Sequence, residues 1–555
     1  MQSVKHNKKT VRLAAIVAVA VVCVGFTSVA VRDAQLGRNI QTLVGMFREL
    51  SLSYVDDVDS DKLLKDAAKG MAQSLDPYTE LFTSDGMEEF ELMTTGKYGG
   101  IGSLIRADSD YVRIAEPYRG SPADRAGLEI GDKIVEVDGQ NMKGATTQEV
   151  STRLKGDPGT SLRLTVRKFR TGELKKLTIR RERISIPAIA YYGMLGDSLG
   201  YIHHVDFTEG CAEQIRRAVN ELKQQGARGL VLDYRGNGGG IVQEAVSILS
   251  MFLPADTEVL RMKGKGEGSN KTFRTTGEPI ARNMPLVVLV DSYTASSAEI
   301  LAGAIQDLDR GVVVGQRTFG KGLVQSTRPL GYDSYLKLTT AKYYTPSGRC
   351  IQSFDYSEGG QRGGGHIPDS LINEFTTAAG RKVYDGGGIT PDVVLQPEYV
   401  SKFAMALYAH GVLDDYADRY VLRNGLEGVN IDTFRLTHQD YADFVAMVGN
   451  RPLEYESETR NILKVLREVA KEEGYSNEIA SELENMENKV AGDNATLLER
   501  HRSQISDMIE ECIVLRAGYD EGVSRHKLPE DKAVAEAARL LSDSENYQRI
   551  LAPEK

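Results

Sequence analysis

The spacing of apolar positions divides the chain into stretches of different secondary structure. Between residues 36 and 90 apolar side chains recur every three or four positions, as in KLLKDAAKGMAQSL, which predicts short amphipathic helices. From about Lys97 to Arg183 short β-branched runs alternate with glycine, which predicts strands. Strands and helices then alternate over about 187–400, the pattern of an α/β domain. Beyond residue 400 the pattern is helical and charged, as in NILKVLREVAKEEG.

These changes predict a multidomain protein of α/β and α+β class, because 555 residues are too many for one ordinary domain. The C-terminal extension contains no catalytic constellation, and we expect it to cap the core, to form a homo-oligomer or to bind an adaptor. The predicted segments are a basic stub with an apolar run (1–35), a helical segment (36–90), a small β-rich domain (91–186), an α/β domain (187–400) and a helical C-terminal extension (401–555).

The N-terminus indicates export. Four basic residues precede an uncharged apolar run, Leu13–Val31, which is long enough to span a bilayer with its basic flank in the cytoplasm. A cleaved signal peptide ending at Ala30 is the alternative, but the length of the run favours an uncleaved anchor. A lipoprotein is disfavoured because Val22 precedes Cys23, where a small residue is needed. Each interpretation places the remainder of the chain outside the cytoplasm.

Composition narrows the chemistry. The formal net charge of −10 and the lack of an arginine-rich stripe argue against a nucleic-acid platform. The eight histidines are dispersed along the chain, and the four cysteines show neither metal-ligand spacing nor a disulfide framework. A zinc site is therefore not expected. The cysteines are Cys23, Cys211, Cys350 and Cys512.

Turns rich in glycine and polar residues follow three apolar runs of the α/β segment, in VLDYRGNGGG, VDSYTASSAEI and VVGQRTFGKG. In open α/β folds the reactive groups collect where strands end. The second turn offers two adjacent hydroxyls, Ser296 and Ser297, just where strand becomes helix. Ser296 and Glu299 also fit the spacing of a capping box. This stretch alone leaves open whether Ser296 is a nucleophile or only a helix cap.

A serine nucleophile needs a base. The GNGGG turn has Gly238 where trypsin-like proteases carry their serine, which excludes that scheme. A Ser-His-Asp triad would need His203 or His204, for which a structural role on a core strand is favoured. Lys321 lies between two glycines at the end of an apolar strand. A neutral lysine can take a proton only if burial lowers its pKa from about 10.4 toward neutrality. The GKG stretch lacks the pattern of a phosphate loop.

The small β-rich segment resembles a PDZ domain. YGGIGSLI is followed by SPADRAGLEIGDKIVEVDGQ and then by TTQEVSTRLKG, which is the order of the family's carboxylate loop, core and groove helix. The resemblance implies that this domain binds an apolar C-terminal peptide, which adds as a β-strand. The positions that match the carboxylate loop are Gly100, Ile101 and Gly102, and those that match the side-chain groove are Val150 and Leu154.

Further motifs resemble the carboxyl-terminal processing proteases, also called tail-specific proteases, over about residues 36–397. They are ASSAEILAGAIQD, VVVGQRTFGKGLVQ, LKLTTAKYYTPSGRCIQ and GGITPDVVL. The resemblance implies a crotonase/ClpP-like protease core with an inserted PDZ domain and no metal or organic cofactor. The family's lysine base follows its serine by 25 residues, and 321 − 296 = 25 selects Ser296 and Lys321. Gln325 matches the glutamine that holds the lysine.

The same resemblance implies an oxyanion hole made by two backbone N–H groups. One belongs to the residue after the nucleophile, Ser297. The other belongs to a glycine of the D-x-R-x-N-x-G-G turn, among residues 238–240, with Gly239 preferred. The polar residues of that turn are expected to shape it rather than to act chemically; they are Asp233, Arg235 and Asn237.

Together these features predict a serine endopeptidase of the bacterial cell envelope, anchored in the inner membrane or exported, with its catalytic part in the periplasm. It would recognise C-terminal tails through the PDZ domain and cleave proteins by a Ser-Lys dyad and an acyl-enzyme. The alternative is a catalytically inactive PDZ adaptor on a protease-like core, which the complete set Ser296, Lys321 and Gln325 disfavours. A crotonase-type acyl-CoA enzyme is also disfavoured, because it would explain neither the PDZ domain nor the export signal.

Overall fold

A computed structural model describes residues 34–83, 92, 95–108, 110–266, 268–356, 365–449, 455, 457–490 and 494–553. The apolar run predicted as an anchor or signal peptide, Leu13–Val31, lies outside these residues. Within the described part, no helix is long and apolar enough to cross a membrane. The chain divides into two compact units.

The first unit contains the described parts of Met1–Phe82, Thr327–Leu338 and Tyr356–Gly364. The amphipathic pattern of this region forms helices, as predicted: α1 covers residues 34–53 and α2 covers Ser60–Gln73. Strand β1, Glu80–Phe82, pairs antiparallel with residues 335–337.

The β-rich segment of the second unit forms a small antiparallel domain. Its main sheet has the strand order β3-β4-β5-β7-β8, β6 pairs with β5, and β2 pairs with β9. Their bounds are β2 Lys97–Gly100, β3 Ser103–Asp108, β4 Tyr111–Pro117, β5 Lys133–Val137, β6 Gln140–Asn141, β7 Ser161–Arg167, β8 Leu174–Arg180, β9 Glu182–Ser185, α3 Pro122–Arg125 and α4 Thr147–Leu154. Helix α4 begins with a complete capping box formed by Thr146 and Glu149.

A six-stranded sheet of order β10-β11-β12-β15-β16-β23 lies at the centre of the α/β segment. Only β10 is antiparallel to its neighbour; the other pairs are parallel. Strands β12, β15 and β16 are buried along their whole length, as expected when both faces of a parallel sheet are covered. The elements are β10 Ile189–Leu195, β11 Leu199–His204, α5 Cys211–Gln224, β12 Gly229–Asp233, α6 Val242–Leu249, β15 Leu286–Val290, α7 Ser297–Asp307, β16 Val312–Gly315 and β23 Val393–Val394.

The remaining strands of this region are short or lie away from the central sheet. Strand β13 pairs with β14 and with residues 341–344 of β18. The elements are β13 Glu258–Gly264, β14 Lys271–Arg274, β17 Leu323–Gly331, β18 Ser334–Tyr344, β19 Phe354–Asp355, β20 Gly365–His366, β21 Glu374–Thr376 and β22 Lys382–Tyr384.

The C-terminal extension is helical, as its pattern predicts. Most of its helices pack around their own apolar core, which includes Phe403, Phe444 and Ile513. The helices are α8 Lys402–Ala409, α9 Val412–Asn424, α10 His438–Val448, α11 Glu458–Glu472, α12 Ala480–Val490, α13 Asn494–Arg500, α14 Arg502–Lys527, α15 Lys532–Ser542 and α16 Ser544–Leu551.

The last two helices, α15 and α16, pack on the central sheet instead. Alternate side chains of each strand point to opposite faces. Leu230 and Leu232 of β12 therefore join the cluster that includes α5, α6 and α7, whereas Val231 joins a cluster with Val534 and Leu540 of α15. Of the three roles expected for the extension, capping the core is the one that this packing supports.

Candidate active site

The stretch that offers two serines forms a sharp turn between β15 and α7. Ser296 has φ 56° and ψ −117°, which residues other than glycine rarely adopt. Asp291 stabilises the turn, since its Oδ1 accepts hydrogen bonds from the backbone N–H groups of Tyr293 and Thr294. Backbone strain of this kind is found at functional sites, where the surrounding structure maintains it.

The two adjacent serines differ in accessibility. Ser297 is fully buried, and its hydroxyl donates a hydrogen bond to the carbonyl oxygen of Gly240 (2.8 Å). Ser296 is only half-buried. A buried hydroxyl that already donates to the backbone is a poor candidate for attack on a substrate, so the accessibility favours Ser296.

A buried carboxylate connects the serine turn to the lysine loop. Oε2 of Glu299 accepts hydrogen bonds from the backbone N–H groups of both Ser296 (2.8 Å) and Lys321 (2.9 Å). Its Oε1 accepts from the Gly320 N–H (2.7 Å) and the Thr318 hydroxyl (2.6 Å). Burial raises the pKa of Glu299 to about 6 although these four donors oppose the shift. The geometry thus brings the backbones of Ser296 and Lys321 to one oxygen atom.

The glycines around Lys321 allow a close approach to a neighbouring segment. Gly320 has φ +86°, and a Cβ there would lie 1.7 Å from Ser353 Oγ. A Cβ on Gly322 would lie 2.8 Å from the backbone nitrogen of Gln352. No side chain can replace hydrogen at these two positions without displacing the loop that carries Lys321.

Gln325 is half-buried on β17, four residues after the lysine. Its amide nitrogen donates a hydrogen bond to the hydroxyl of Thr339 (3.2 Å). This bond orients the amide and leaves its oxygen as the atom that could accept from an amine.

The glycine turn after β12 contacts the serine turn directly. Gly239 has φ +94°, and a Cβ there would lie 2.7 Å from the carbonyl oxygen of Ala295 and 2.8 Å from the nitrogen of Ser297. The N–H of Gly239 donates to Oδ1 of Asn237 (2.8 Å). Buried Asn237 also donates to the carbonyl oxygen of His204 and accepts from the Ala295 N–H. Asn237 therefore holds the two turns together, which agrees with its predicted shaping role.

Asp233 and Arg235 form a charged pair at the start of this turn. Asp233 is buried and accepts hydrogen bonds from Arg235 and from the hydroxyl of Tyr201 (2.8 Å). Burial disfavours the charged form of Asp233, but the adjacent guanidinium of Arg235 outweighs this effect. The pKa of Asp233 is therefore lowered. The carboxylate therefore stays ionised and fixes Arg235.

His204 of β11 has the surroundings of a structural residue rather than of a catalytic base. His204 is fully buried against the rings of Phe207 and Tyr234, with centroid distances of 4.5 and 5.3 Å. Burial lowers its pKa to about 3, and neither ring nitrogen has a hydrogen-bond partner among the described residues. The structural role expected for this histidine is confirmed. In the part of the chain that the structure describes, no group of three or more His, Cys, Asp or Glu side chains is arranged to hold a metal ion.

The predicted peptide site of the β-rich domain is only partly as expected. Ile101 is buried, and Gly102 has φ +77° with its carbonyl accepting from Ser121 Oγ (2.8 Å). Val150 and Leu154, which were predicted to line the groove, are instead buried in the core of the domain, with 0 % and 5 % of their surface exposed. They face inward because they lie on the apolar side of the amphipathic helix α4.

Comparison with known proteins agrees with these features. Residues 198–356 match Peptidase family S41, residues 113–168 match the PDZ domain, and residues 403–541 match the C-terminal helical domain of probable PDZ-proteases. The carboxy-terminal-processing protease of Bartonella bacilliformis is 32 % identical over 311 residues, which cover 55 % of this chain and 71 % of that protein. The chain belongs to the carboxy-terminal processing protease family.

Two further proteins are similar to this chain. The carboxy-terminal processing protease CtpA of Bacillus subtilis is 32 % identical over 306 residues, covering 55 % of this chain and 65 % of the relative. A solved photosystem II D1 C-terminal processing protease is 28 % identical and covers 64 % of this chain and 87 % of its own, with a TM-score of 0.34. The protein is thus a serine-type peptidase with a PDZ domain and a helical C-terminal domain.

Glu299 has a central role in the site that its sequence position did not indicate, since the spacing from Ser296 predicted only a helix cap. The predicted cap is present in one direction, because the Glu299 side chain accepts from the Ser296 N–H. The contacts with Thr318, Gly320 and Lys321 could not be foreseen, since they join segments 19 to 22 residues apart. The unusual signal was a glutamate on the first turn of an otherwise apolar, Ala-rich helix.

Proposed function

We propose that this protein is an endopeptidase in which Ser296 is the nucleophile and Lys321 the general base. The observation that carries the proposal is the shared hydrogen bonding of both backbones to Oε2 of Glu299. Half-buried Ser296 attacks the scissile carbonyl while the neutral amine of Lys321 takes the hydroxyl proton. The tetrahedral intermediate collapses to an acyl-enzyme when Lys321 returns that proton to the leaving amine. A water molecule, deprotonated in the same way, releases the acyl group and restores Ser296.

The developing oxyanion needs backbone donors. We propose the N–H of Ser297 and one from the glycine turn, with Gly239 as the preferred residue. Close contact between Gly239 and the Ser297 nitrogen supports this pairing. In the present geometry the Gly239 N–H donates to Asn237, so its use as an oxyanion donor requires a small rotation of the turn.

Gln325 is proposed to hold the lysine. Its amide nitrogen donates to Thr339, which favours an amide oxygen free to accept from the amine. A neutral acceptor orients Lys321 without adding a negative charge that would favour its protonated form. We also propose that the core is related to crotonase and ClpP, for which the alternating strands and helices of residues 187–400 are the support.

The PDZ domain is proposed to recruit apolar C-terminal tails. Because Val150 and Leu154 are buried, a tail in the groove beside α4 can contact these two side chains only if α4 moves. A reporter with an apolar C-terminus should therefore show a lower KM than the same reporter ending in charged residues, at unchanged kcat.

We further propose a location in the bacterial envelope with the catalytic part in the periplasm, on the basis of the apolar run Leu13–Val31.

Cleavage of an unfolded reporter with an apolar C-terminus tests the dyad. Ser296→Ala and Lys321→Arg should each lose at least about a thousandfold in kcat, the second because a guanidinium does not provide a neutral base. Ser297→Ala is the matched control, since it keeps its backbone N–H, and it should retain activity within about tenfold. Activity in Lys321→Arg would exclude the lysine as base. If all of these variants still cleaved the reporter, the proposed site would be excluded.

The inactive-adaptor alternative predicts a different result in the same assay. An adaptor would bind the tailed reporter but leave it intact in the wild-type protein. The wild-type chain should instead cleave the reporter, with a rate that falls on the acid side as the amine becomes protonated. Gln325→Glu should move this acid limb to higher pH, because a nearby carboxylate stabilises the ammonium form.

A further inference from the structure

The last two helices of the C-terminal domain are built into the protease core. Tyr547 of α16 is buried, and its hydroxyl both donates to the carbonyl oxygen of Leu286 (2.9 Å) and accepts from the N–H of Leu286 (3.0 Å). Leu286 begins β15, the strand that leads to the serine turn. One face of the protease sheet is thus covered by a segment that begins 236 residues after Ser296.

Asp531, the N-cap residue of α15, extends this packing to the catalytic turns. Its carboxylate caps the helix by accepting from the N–H groups of Ala533 (2.9 Å) and Val534 (3.0 Å). The same carboxylate accepts from both terminal nitrogens of Arg235, at 3.2 Å to Oδ1 and 2.7 Å to Oδ2. A bidentate bond of this kind fixes the plane of the guanidinium.

Arg235 is therefore held between two carboxylates. Asp233 binds it from within the same turn, and Asp531 binds it from the C-terminal domain. The side chains are 1 %, 20 % and 28 % exposed for Asp233, Asp531 and Arg235, so solvent screens the charges much less than at an open surface. Asp233 alone does not accept all the hydrogen bonds of the Arg235 guanidinium, because the guanidinium donates two of them to Asp531.

Arg235 immediately precedes the glycine turn that contacts the nucleophile. The next residue, Gly236, donates its N–H to Asp291 of the serine turn (3.0 Å). Gly239 then lies against the nitrogen of Ser297. A shift of Arg235 would therefore move the donors of the proposed oxyanion hole, and misplacement by about 1 Å can cost about a hundredfold in rate.

We propose that Asp531 is a positioning residue that the C-terminal helical domain supplies to the active site. It acts through Arg235 and holds the glycine turn in the geometry that stabilises the oxyanion. This inference rests on the proposed Ser296 chemistry. The C-terminal domain would thus take part in catalysis although none of its residues contacts the substrate.

The substitution Asp531→Asn separates the positioning role from helix capping. Asparagine caps helices as well as aspartate does, and it has nearly the same shape. The change removes only the charge opposite Arg235. The matched control is Asp543→Asn, because Asp543 caps α16 by accepting from the Asn546 N–H (3.0 Å). Asp531→Ser serves as a second capping variant without charge if the asparagine variant does not fold.

The test uses the full chain and the tailed, unfolded reporter. Asp531→Asn should lower kcat about tenfold with KM unchanged within about twofold, and it should weaken binding of a peptide boronate by the same factor, because a boronate mimics the tetrahedral intermediate. The thermal midpoint should stay close to that of the wild type, and Asp543→Asn should leave kcat unchanged. In an Arg235→Lys background the further effect of Asp531→Asn should fall below about twofold, since coupled residues are not additive.

Three results would overturn the inference. They are a wild-type kcat in folded Asp531→Asn, an equal loss in Asp543→Asn, or full additivity with Arg235→Lys. Failure of the proposed function looks different: Ser296→Ala would then retain cleavage, whatever the Asp531 variants do. If Ser296→Ala is inactive and Asp531→Asn has wild-type kcat, only the positioning role is excluded.

Discussion

The C-terminal helical domain contacts the protease sheet and the PDZ domain through surfaces of opposite chemistry. Against the sheet, α15 buries aliphatic side chains such as Val534 and Leu540. Against the PDZ domain, the helical domain buries charges. Arg113 of β4 donates to Asp418 of α9 (2.7 Å), and Arg106 of β3 donates to Asp414 of the same helix (2.6 Å).

The charged contact is a connected network rather than a set of separate pairs. Arg516 of α14, only 3 % exposed, donates to both Asp414 (3.0 Å) and Asp418 (2.7 Å). Each aspartate is thereby shared between an arginine of the PDZ domain and an arginine of the helical domain. Burying charged groups costs desolvation free energy, and their mutual attraction offsets this cost only when the groups are well aligned. Apolar contacts tolerate small shifts better. The comparison indicates that the PDZ contact defines an orientation, whereas the sheet contact stabilises through apolar burial.

The largest expected effect comes from breaking the charged network at its centre. Arg516→Met should lower the free energy of unfolding by about 4 kcal/mol, because it removes one partner from two buried aspartates. Urea unfolding measures this difference. Arg539→Met is the control, since the pair of Arg539 with Glu536 is exposed on the arginine side, and it should change stability by less than about 0.5 kcal/mol. Equal effects of the two variants would contradict a network that is specific to the buried contact.

A smaller loss is expected at the apolar contact. Leu540→Ala should lower the free energy of unfolding by about 3 kcal/mol through the lost burial and the cavity left under the sheet. Leu422→Ala, at a leucine that is 53 % exposed, is the matched control and should have little effect. Leu540 and Arg516 belong to different contacts, so the double variant should be additive within about 0.5 kcal/mol. Strong non-additivity would show that the two contacts are one cooperative surface.

The smallest effect concerns pH at the PDZ contact. Glu116 of β4 accepts from the N–H of Asp520 on α14 (3.3 Å), and burial together with the charge of Asp520 raises its pKa to about 7. The hydrogen bond from the Asp520 N–H and the charge of Arg119 oppose this shift. Between pH about 4.3, the pKa of an unfolded glutamate, and pH about 7, the carboxyl of Glu116 binds a proton in the folded state but not in the unfolded state. Stability should therefore decline as pH rises through this window.

Glu116→Gln tests this pH dependence. The variant should be more stable than the wild type by on the order of 1 kcal/mol at pH 8, and the advantage should vanish near pH 5. Urea unfolding at both values measures it. Buried Glu299, whose pKa is raised to about 6, leaves some slope in both proteins. An advantage that is constant with pH would exclude titration of Glu116 as the cause.

The sequence predicted the local secondary structure well. Periodicity gave the helices α2 and α11, and motif spacing separated Ser296 from its neighbour. The structure adds an independent reason for that choice, because the hydroxyl of Ser297 is buried and donates to Gly240. The roles of Lys321 and Gln325 stay predictions.

Contacts between distant segments could not be predicted. The sequence indicated only a helix cap at Glu299, and it placed Asp531 in a C-terminal extension without catalytic features. Both gain their partners only through tertiary packing, over 22 residues to Lys321 and 296 residues to Arg235. Val150 and Leu154 were expected to line the peptide groove and are buried in the domain core, because an apolar helix position fits a peptide groove and a domain core equally well.

The most direct test of the active site is the mass of the acyl-enzyme. The protein is mixed with an activated peptide ester, quenched with acid and digested, and the acylated residue is identified by fragmentation. We expect the acyl group on Ser296 in the wild type and in Ser297→Ala, slow acylation in Lys321→Ala, and none in Ser296→Ala. An acyl group on Ser297 or on any other residue, or acylation that persists in Ser296→Ala, would contradict the assignment of Ser296 as the nucleophile.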